Sequence, residues 1–202
     1  MFITLEVLSD NLDFKSLTNA IEFCKQNNIF DLEDKEFINK LIENNKLYWA
    51  NDTIGHLLNE YNCVKYALFA ADEIIEYFEN NFKKSNLFRE TIEEIRSYIN
   101  DPDNIKLDCS SDTLMNPTWR IITPELRHAA YCMVFTANTY RAKLSAIGAI
   151  EAAASAQAYI SIKDISKPKY LDPETNYLKI NKYRLTYNKT MTKFINYGVS
   201  LL

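Results

Sequence analysis

The residues best suited to chemistry lie between positions 67 and 99, where carboxylates and arginines recur at helical spacing. The first half of this stretch carries four carboxylates: Asp72, Glu73, Glu76 and Glu79. Asp72 and Glu76 are four residues apart, so a helix places them on one face. Carboxylate-bundle metal sites also need Glu-x-x-His motifs, and neither His56 nor His128 lies in one. The pattern therefore predicts a solvated helix face, with a metal site as the minor alternative.

His128 and Cys132 are one helical turn apart, a spacing that suits a metal ligand pair or a thiol beside a base. Two ligands do not make a site, and the sequence offers no third partner for them. Both positions also fit the packing of an alanine-rich helix. Packing is the favoured interpretation, and we expect no metal and no cofactor.

Arg89, Glu93 and Arg96 form a third group, in which Arg89 and Glu93 are four residues apart and Arg96 lies two turns beyond Arg89. Such a trio can form surface ion pairs worth about 0.2–0.5 kcal/mol each. It can also clamp an adjacent helix through bidentate arginine bonds. A structural role is favoured over a catalytic one. Because nucleophile elbows, phosphate loops and dinucleotide-binding glycines are absent from the sequence, we predict no enzyme activity.

The bulk composition favours a helical protein. Among 202 residues only three are glycine and five are proline, which argues against a turn-rich β fold. The four cysteines are far apart and none forms a C-x-x-C pair, which favours buried thiols in a reducing cytoplasm. No apolar run approaches the ~18 residues of a membrane span, and no signal peptide is visible. We therefore expect a cytoplasmic protein without a membrane partner.

The spacing of apolar residues predicts an all-α, multi-helix bundle of about seven or eight helices. Residues 129–158 predict an alanine-rich helical hairpin, which we expect at the centre because small side chains let helix backbones approach closely. Residues 101–124 contain three prolines and four aspartates and predict a long loop. Residues 2–8 and 119–123 are the only segments that could form short strands.

The chain divides into three predicted segments. Residues 1–61 are expected to form an N-terminal helical segment, and residues 62–165 a helical core. Residues 166–202 are expected to supply a C-terminal amphipathic helix that begins at Pro173 and packs on the core.

Charge is spread unevenly along the chain, whose net charge is −4. Residues 1–60 hold 5 basic and 11 acidic side chains, whereas residues 163–202 hold 8 basic and 3 acidic ones. The acidic part suits a basic protein partner, although most acidic surfaces are only solvated. The basic tail is a weak sign of nucleic-acid binding, and the acidic part opposes it. Nucleic acid is therefore the less favoured partner.

Two motifs carry a resemblance to a known family. They occupy the positions Ala67, Ala71, Ile74, Ile75, Phe78, Glu79, Arg89, Ile92, Glu93, Arg96 and Tyr98. This arrangement resembles the Imm5 group of predicted bacterial immunity proteins, in which a helix like A-x-x-C-A-E-x-V-L-x-x-F-E precedes R-x-A-I-E-x-x-R-x-[WY]. The resemblance covers residues 62–160. The chain departs from the pattern at Ala70, where cysteine is usual, and at Asp72, where glutamate is usual.

The resemblance implies an all-α cytoplasmic protein, encoded beside a polymorphic toxin, that binds this toxin and blocks it without enzyme activity or a cofactor. It also implies that Arg89, Glu93 and Arg96 hold a helix pair together. The leading hypothesis is therefore an immunity protein that acts by direct protein–protein interaction. The alternatives are a helical nucleic-acid-binding or regulatory module that uses the basic C-terminal helix, and a carboxylate-bundle metalloenzyme.

The predicted toxin-binding surface is acidic, because complementary charge speeds association and sets specificity. It comprises Asp31, Glu33, Asp34, Glu36 and Glu43. Trp119 and Arg120, within the predicted loop, are the second candidate surface because tryptophan and arginine are favoured anchors at interfaces.

Overall fold

A computed structural model describes most of the chain. The described residues are 22–27, 29, 32–82, 86–102, 111–118, 120–163, 165 and 173–202. Within them the structure forms helices and no strand, which confirms the predicted all-α fold. Of the two segments considered as strands, residues 120–123 form none, and residues 2–8 lie outside the described residues.

Eight helices have defined ends in the described part of the chain, in agreement with the predicted number. In chain order they are α1 (Asp34–Glu43), α2 (Leu47–Leu57), α3 (Glu60–Asn81), α4 (Asn86–Asn100), α5 (Ser111–Thr118), α6 (Pro124–Thr139), α7 (Ser145–Ile162) and α8 (Pro173–Leu201). Residues 22–26 are also helical. Phe37, Phe78 and Phe194, one from each of the three predicted segments, belong to a single hydrophobic cluster.

The α6–α7 hairpin is the centre of the bundle, as its alanine content predicts. Helix α7 packs on α6, α8, α3 and α2, and α6 also packs on α5 and α4. The small side chains of Ala146, Ala149 and Ala153 are fully buried on α7, which allows these close approaches. Where the hairpin turns, Asn138 donates from Nδ2 to Ser145 Oγ at 2.7 Å. Ala142 lies in this turn and is exposed, unlike the buried alanines of α7.

Helix α3 begins one turn earlier than the apolar pattern suggests. The apolar repeat begins at Val64, whereas the first helical residue is Glu60. Asn59 is the N-cap, and its side-chain oxygen accepts a hydrogen bond of 2.8 Å from the backbone N–H of Asn62. This cap also separates α3 from α2.

The loop predicted over residues 101–124 is wrong in part, because α5 lies within it. Leu114 and Thr118 of α5 are fully buried, and α5 packs against α6. Pro117 falls in the last turn of the helix, and the Thr118 hydroxyl donates to the carbonyl of Leu114 at 2.8 Å. Burial against α6 therefore outweighs the local preference of proline and aspartate for a loop, a contribution that short-range sequence patterns do not contain.

Helix α8 packs on the core along its second half, where Met191, Phe194 and Ile195 are fully buried. The large apolar side chains of its first half are exposed: Tyr177 by 66%, Leu178 by 55%, Ile180 by 56% and Leu185 by 71%. Tyr183 lies against Tyr159, with ring centroids 4.9 Å apart, near the end of α7 at Ile162. The first turns of α8 lie at the C-terminal end of α7, where Ile180 and Tyr183 share a cleft with Tyr159 and Ile162, so little of α7 is available to cover their apolar residues. Leu185 lies between Tyr183 and Tyr187, which contact the α7 side, and its exposure places it on another face of α8.

Candidate binding site

The arginines of α4 bind carboxylates of α3 across the helix pair. Arg89 donates from Nε to Glu79 Oε1 at 2.5 Å, and a second guanidinium nitrogen contacts the other oxygen of this carboxylate. Arg96 donates to Asp72 Oδ1 at 2.6 Å and also bonds Glu93 on its own helix. Both arginines therefore connect α4 to α3, and Arg89 has its hydrogen bonds with Glu79 rather than with Glu93.

Apolar packing accompanies these ion pairs. Phe78 of α3 lies against Phe88 of α4, with ring centroids 4.9 Å apart, and Ile92 is fully buried beside them. Residues of both sequence motifs, among them Phe78, Glu79 and Arg89, thus meet at one helix–helix interface. Carboxylates and arginines of residues 67–99, which the sequence suggested for chemistry, therefore join two helices in this structure.

The other carboxylates of α3 do not gather into a metal site. Glu73 forms an ion pair with Lys193 of α8, and Glu76 is exposed. Among the described residues, no group of three or more histidine, cysteine or acidic side chains is arranged to hold a metal ion.

His128 and Cys132 do not act on a common atom. His128 Nδ1 lies 2.8 Å from the carbonyl oxygen of Pro124. Cys132 is fully buried, and burial raises the pKa of its thiol to about 12. A thiol with this pKa stays protonated and poorly nucleophilic near neutral pH. The pair therefore forms no nucleophile–base arrangement, and His128 instead lines a surface cleft.

The predicted acidic surface is largely on α1. Its described members are Glu33, Asp34, Glu36 and Glu43. Glu33 and Glu36 are exposed, Asp34 is half-buried, and Glu43 accepts a hydrogen bond of 2.8 Å from Lys40. Asp31 lies outside the described residues. The exposed carboxylates are therefore available to a partner, but Lys40 weakens the negative field at the end of the helix.

The second predicted surface is described only in part. Arg120 is exposed just after α5, where its backbone N–H donates to the carbonyl of Pro117 at 3.1 Å. Trp119 lies outside the residues whose side chains are described. Arg120 does not border the cleft that His128 lines.

That cleft lies between α6, α7 and α8 and has a volume of about 290 Å³. Its lining comes from three helices: His128, Tyr131, Phe135, Gly148, Glu151, Ala152, Ser155 and Tyr187. Gly148 lets the ring of Phe135 pack closely against α7, because a Cβ atom at this position would lie only 3.1 Å from the ring. We call this feature the α6–α8 cleft.

Four of the eight residues that line the α6–α8 cleft are aromatic. The centroids of Tyr131 and Phe135 are 6.3 Å apart, and those of His128 and Tyr131 are 6.4 Å apart. On the side of α8, the ring of Tyr187 is stacked parallel to that of Tyr183 at 6.3 Å. These aromatic residues share the lining with one acidic residue, Glu151.

This acidic side chain, Glu151, is half-buried and has a neighbouring carboxyl group, that of Asp52 on α2. Burial raises the pKa of Glu151, the charge of Asp52 raises it further, and a hydrogen bond from Asn51 opposes both effects. The pKa of Asp52 is also raised by burial, against the effect of His56, whose Nε2 lies 3.9 Å from Asp52 Oδ1. Glu151 Oε1 is buried and has no hydrogen-bond partner among the described residues. Glu151 on α7 and Asp52 on α2 are therefore two neighbouring, partly buried carboxyl groups.

Two hydrogen bonds fix the side chain of Asn51, the neighbour of Glu151. Asn51 is fully buried and donates from Nδ2 to the carbonyl of Ile147 at 3.2 Å. The hydroxyl of the buried Tyr66 donates to Asn51 Oδ1 at 2.9 Å. Because both ends of the Asn51 amide are engaged, its orientation toward Glu151 is determined by the fold.

Sequence reasoning missed the α6–α8 cleft, although one signal pointed to it. Glu151 is the only charged residue in the alanine-rich helix α7. A single carboxylate in a helix that is otherwise packed on several neighbours is costly unless it has a partner or a use. The residues around it come from parts of the chain that no local pattern connects.

Comparison with known proteins adds no relative. No protein-family model, curated protein or solved structure matches this chain. The resemblance to bacterial immunity proteins therefore stays a prediction from the two motifs. Among the described helices, none is both long enough and apolar enough to cross a membrane.

The arrangement in the α6–α8 cleft suits binding of a positive charge. Aromatic faces attract cations, and a carboxylate removed from water gains most from a charged hydrogen-bond donor. Burial raises the pKa of Tyr187 to about 12, so its hydroxyl stays protonated at neutral pH. The cleft thus combines negative charge, ring faces and a neutral hydroxyl.

We expect Glu151→Gln to raise the free energy of unfolding near neutral pH relative to its effect near pH 4.5. The raised pKa of Glu151 means that the folded protein binds this proton more tightly than the unfolded chain, whose carboxyl ionises near 4.5. Native stability therefore falls as the pH rises from that value through the raised pKa, and glutamine removes this part of the fall. Urea denaturation at about pH 4.5 and about pH 7.5 measures the difference.

Glu76→Gln, at an exposed position of α3, is the matched control and should leave the pH dependence unchanged. Some dependence should persist in Glu151→Gln, because burial also raises the pKa of Asp52. Identical pH profiles for the native protein and Glu151→Gln would contradict the burial of this carboxyl group.

Proposed function

We propose that this protein is an immunity protein, which binds a cognate bacterial toxin by direct contact and so neutralises it. The observation that carries the proposal is accessible negative charge at two places: Glu33 and Glu36 are exposed on α1, and Glu151, near Asp52, lines the α6–α8 cleft. Such a surface suits a basic partner, because charge complementarity accelerates association and disfavours wrong partners.

The motifs that resemble immunity proteins support the same proposal. The resemblance implies that Arg89, Glu93 and Arg96 hold a helix pair together. Arg89 and Arg96 do bind carboxylates of the neighbouring helix, and Glu93 bonds Arg96. These charged residues therefore serve the scaffold, which leaves the carboxylates of α1 and of the cleft as candidates for partner recognition.

A co-expression rescue tests the proposal. The C-terminal domain of a large toxin-like protein encoded beside this one is expressed alone and together with it, and the pair is isolated by affinity purification. We expect restored growth and a stable one-to-one complex. Growth inhibition that persists, with no complex, would overturn the immunity function.

Charge reversals then locate the surface. Glu33→Lys and Glu36→Lys should slow association and weaken rescue, because repulsion at an interface acts mainly on the association rate. Lys182→Glu and Arg184→Glu reverse exposed charges on α8 and are the matched controls. They should leave rescue unchanged.

One observation favours a second candidate function, nucleic-acid binding or regulation through α8. This helix carries five basic residues and one acidic residue, and its exposed first half intersperses them with Tyr177 and other apolar side chains. Basic residues combined with aromatic rings are typical of single-strand binding surfaces. Binding to an oligonucleotide that weakens steeply with salt, and that Lys182→Glu with Arg184→Glu abolishes, would favour this function.

A further inference from the structure

We propose that the α6–α8 cleft receives one guanidinium or ammonium group, carried by an arginine or lysine side chain of a protein partner. The inference rests on the proposed function and specifies how the partner is recognised. It would make Glu151 the residue that determines the charge of the group that enters.

The first argument is the charge of Glu151. Glu151 lines the cleft and has Asn51 as a neutral hydrogen-bonding neighbour, while its buried Oε1 atom has no partner among the described residues. None of the described lysines or arginines forms an ion pair with Glu151, and the nearby carboxyl group of Asp52 adds negative charge. Because a carboxylate partly removed from water gains more from a charged donor than from a neutral one, a cation is the ligand that best complements Glu151.

The second argument is the composition of the walls. Tyr131, Phe135, Tyr187 and His128 line the cleft together with Glu151. Ring faces attract a cation and offer no comparable attraction to a neutral amide or an anion. The rings and the carboxyl group therefore select for the same charge. This agreement distinguishes the cleft from an ordinary apolar groove.

The third argument is size. Sites for cofactors and drug-sized molecules usually have volumes of about 300–1,000 Å³ and enclose most of the ligand. The α6–α8 cleft has about 290 Å³ and is open to solvent. It is suited to the end of one side chain presented from outside. An arginine or lysine on the surface of a partner meets this condition without entering the bundle.

The surroundings of the cleft fit contact with a protein. Tyr48 of α2 is 54% exposed, and its pKa is raised first by burial and then by the charges of Glu151 and Asp52, which lie near it. Beside Tyr187, Asn188 donates to Asn45 just after α1, at 3.2 Å. The C-terminal end of α1, with Glu43, therefore lies near the side of α8 that borders the cleft. Glu33 and Glu36 are at the other end of α1, where Asp34 lines a separate cleft with Leu201.

The test uses the full chain and a probe that isolates the charge. Nα-acetyl-arginine amide is titrated into the labelled protein, and NMR follows the ring signals of Tyr131, Phe135 and Tyr187. Nα-acetyl-citrulline amide, which has nearly the same shape and no charge, is the matched neutral probe. We expect the arginine probe to bind about tenfold more tightly than the citrulline probe, with shifts confined to the cleft.

Variants connect this binding to the carboxyl groups. Glu151→Gln should reduce affinity for the arginine probe to that for citrulline, and Asp52→Asn should reduce it in part. The control Glu76→Gln should have no effect. Equal affinities for the two probes, absence of cleft shifts, or full binding by Glu151→Gln would each overturn the inference.

The inference and the proposed function fail in different ways. Rescue by the native protein, with no arginine binding in the cleft, would retain the immunity function and place toxin recognition elsewhere. Arginine binding in the cleft, with no rescue by the native protein, would retain the cation site and overturn the immunity function. Where both hold, Glu151→Gln should lower the affinity for the toxin and Glu76→Gln should not.

Discussion

Replacing Phe78 by alanine is expected to lower the free energy of unfolding by about 3–5 kcal/mol. Phe78 is fully buried on α3 and is among the largest fully buried side chains. Its ring lies 5.0 Å from that of Phe82 and 4.9 Å from that of Phe88. Truncation removes these contacts and leaves a cavity between α3 and α4, which close-packed helices can fill only in part.

Urea denaturation followed by circular dichroism measures this loss, and an unchanged slope would show that the same surface unfolds. Glu76→Ala is the control on the same helix, and we expect it to change stability by less than about 0.5 kcal/mol because Glu76 is exposed. A domain of this kind has about 5–15 kcal/mol in total, so Phe78→Ala would be marginally folded. A loss below about 1 kcal/mol would contradict the packing of the two motifs at one interface.

Gly198→Ala is expected to lower stability by about 1–3 kcal/mol, even though alanine favours a helix over glycine by about 1 kcal/mol. A Cβ atom at Gly198 would lie 2.8 Å from Ile54 Cγ2 and 3.0 Å from the ring of Tyr66. Neither neighbour can move easily. Ile54 is fully buried, and Tyr66 is held by the hydrogen bond from its hydroxyl to Asn51.

The same helix supplies the control for Gly198→Ala. Asn196 is exposed on α8, so Asn196→Ala gains helix propensity without a clash and should be neutral or slightly stabilising. Thermal or urea unfolding compares the two variants. A stabilising effect of Gly198→Ala would mean that α8 is not as close to α2 and α3 as the structure shows.

Phe78 and Gly198 contribute to the stability of the scaffold, whereas Glu151 is expected to lower stability. Its carboxyl group is expected to cost stability near neutral pH, and its buried oxygen lacks a partner among the described residues. Residues that lower stability while lining a cleft are typical of binding and catalytic sites, where function limits what packing can optimise. The α6–α8 cleft is therefore the part of the surface where partner recognition is best sought.

Much of the helical architecture could be predicted from local sequence. The apolar positions of α3 and α4 repeat at the period of a helix, and α6 begins at Pro124, a residue type that is favoured in the first turn of a helix. The central place of the α6–α7 hairpin followed from its alanine content. Helix ends were less predictable, because capping by Asn59 depends on one hydrogen bond rather than on a repeated pattern.

Helix α5 could not be predicted in this way. Its sequence has the composition of a loop, and its burial depends on the presence of α6 beside it. The exposed apolar residues of α8 have a related cause. Their spacing matches an amphipathic helix, but only the relative position of α7 and α8 decides how much of that face is covered.

The sequence by itself determined the helical class, the order of the main helices and the charged pairs available to join α3 and α4, because all three depend on spacing within one or two helices. The tertiary structure alone decided the site. His128, Glu151 and Tyr187 come from three different helices and only packing brings them to one cleft, and Asp52 on a fourth helix lies near Glu151. The partial loss of water around Glu151, which gives this site its chemistry, arises from that packing and from no property of the local sequence.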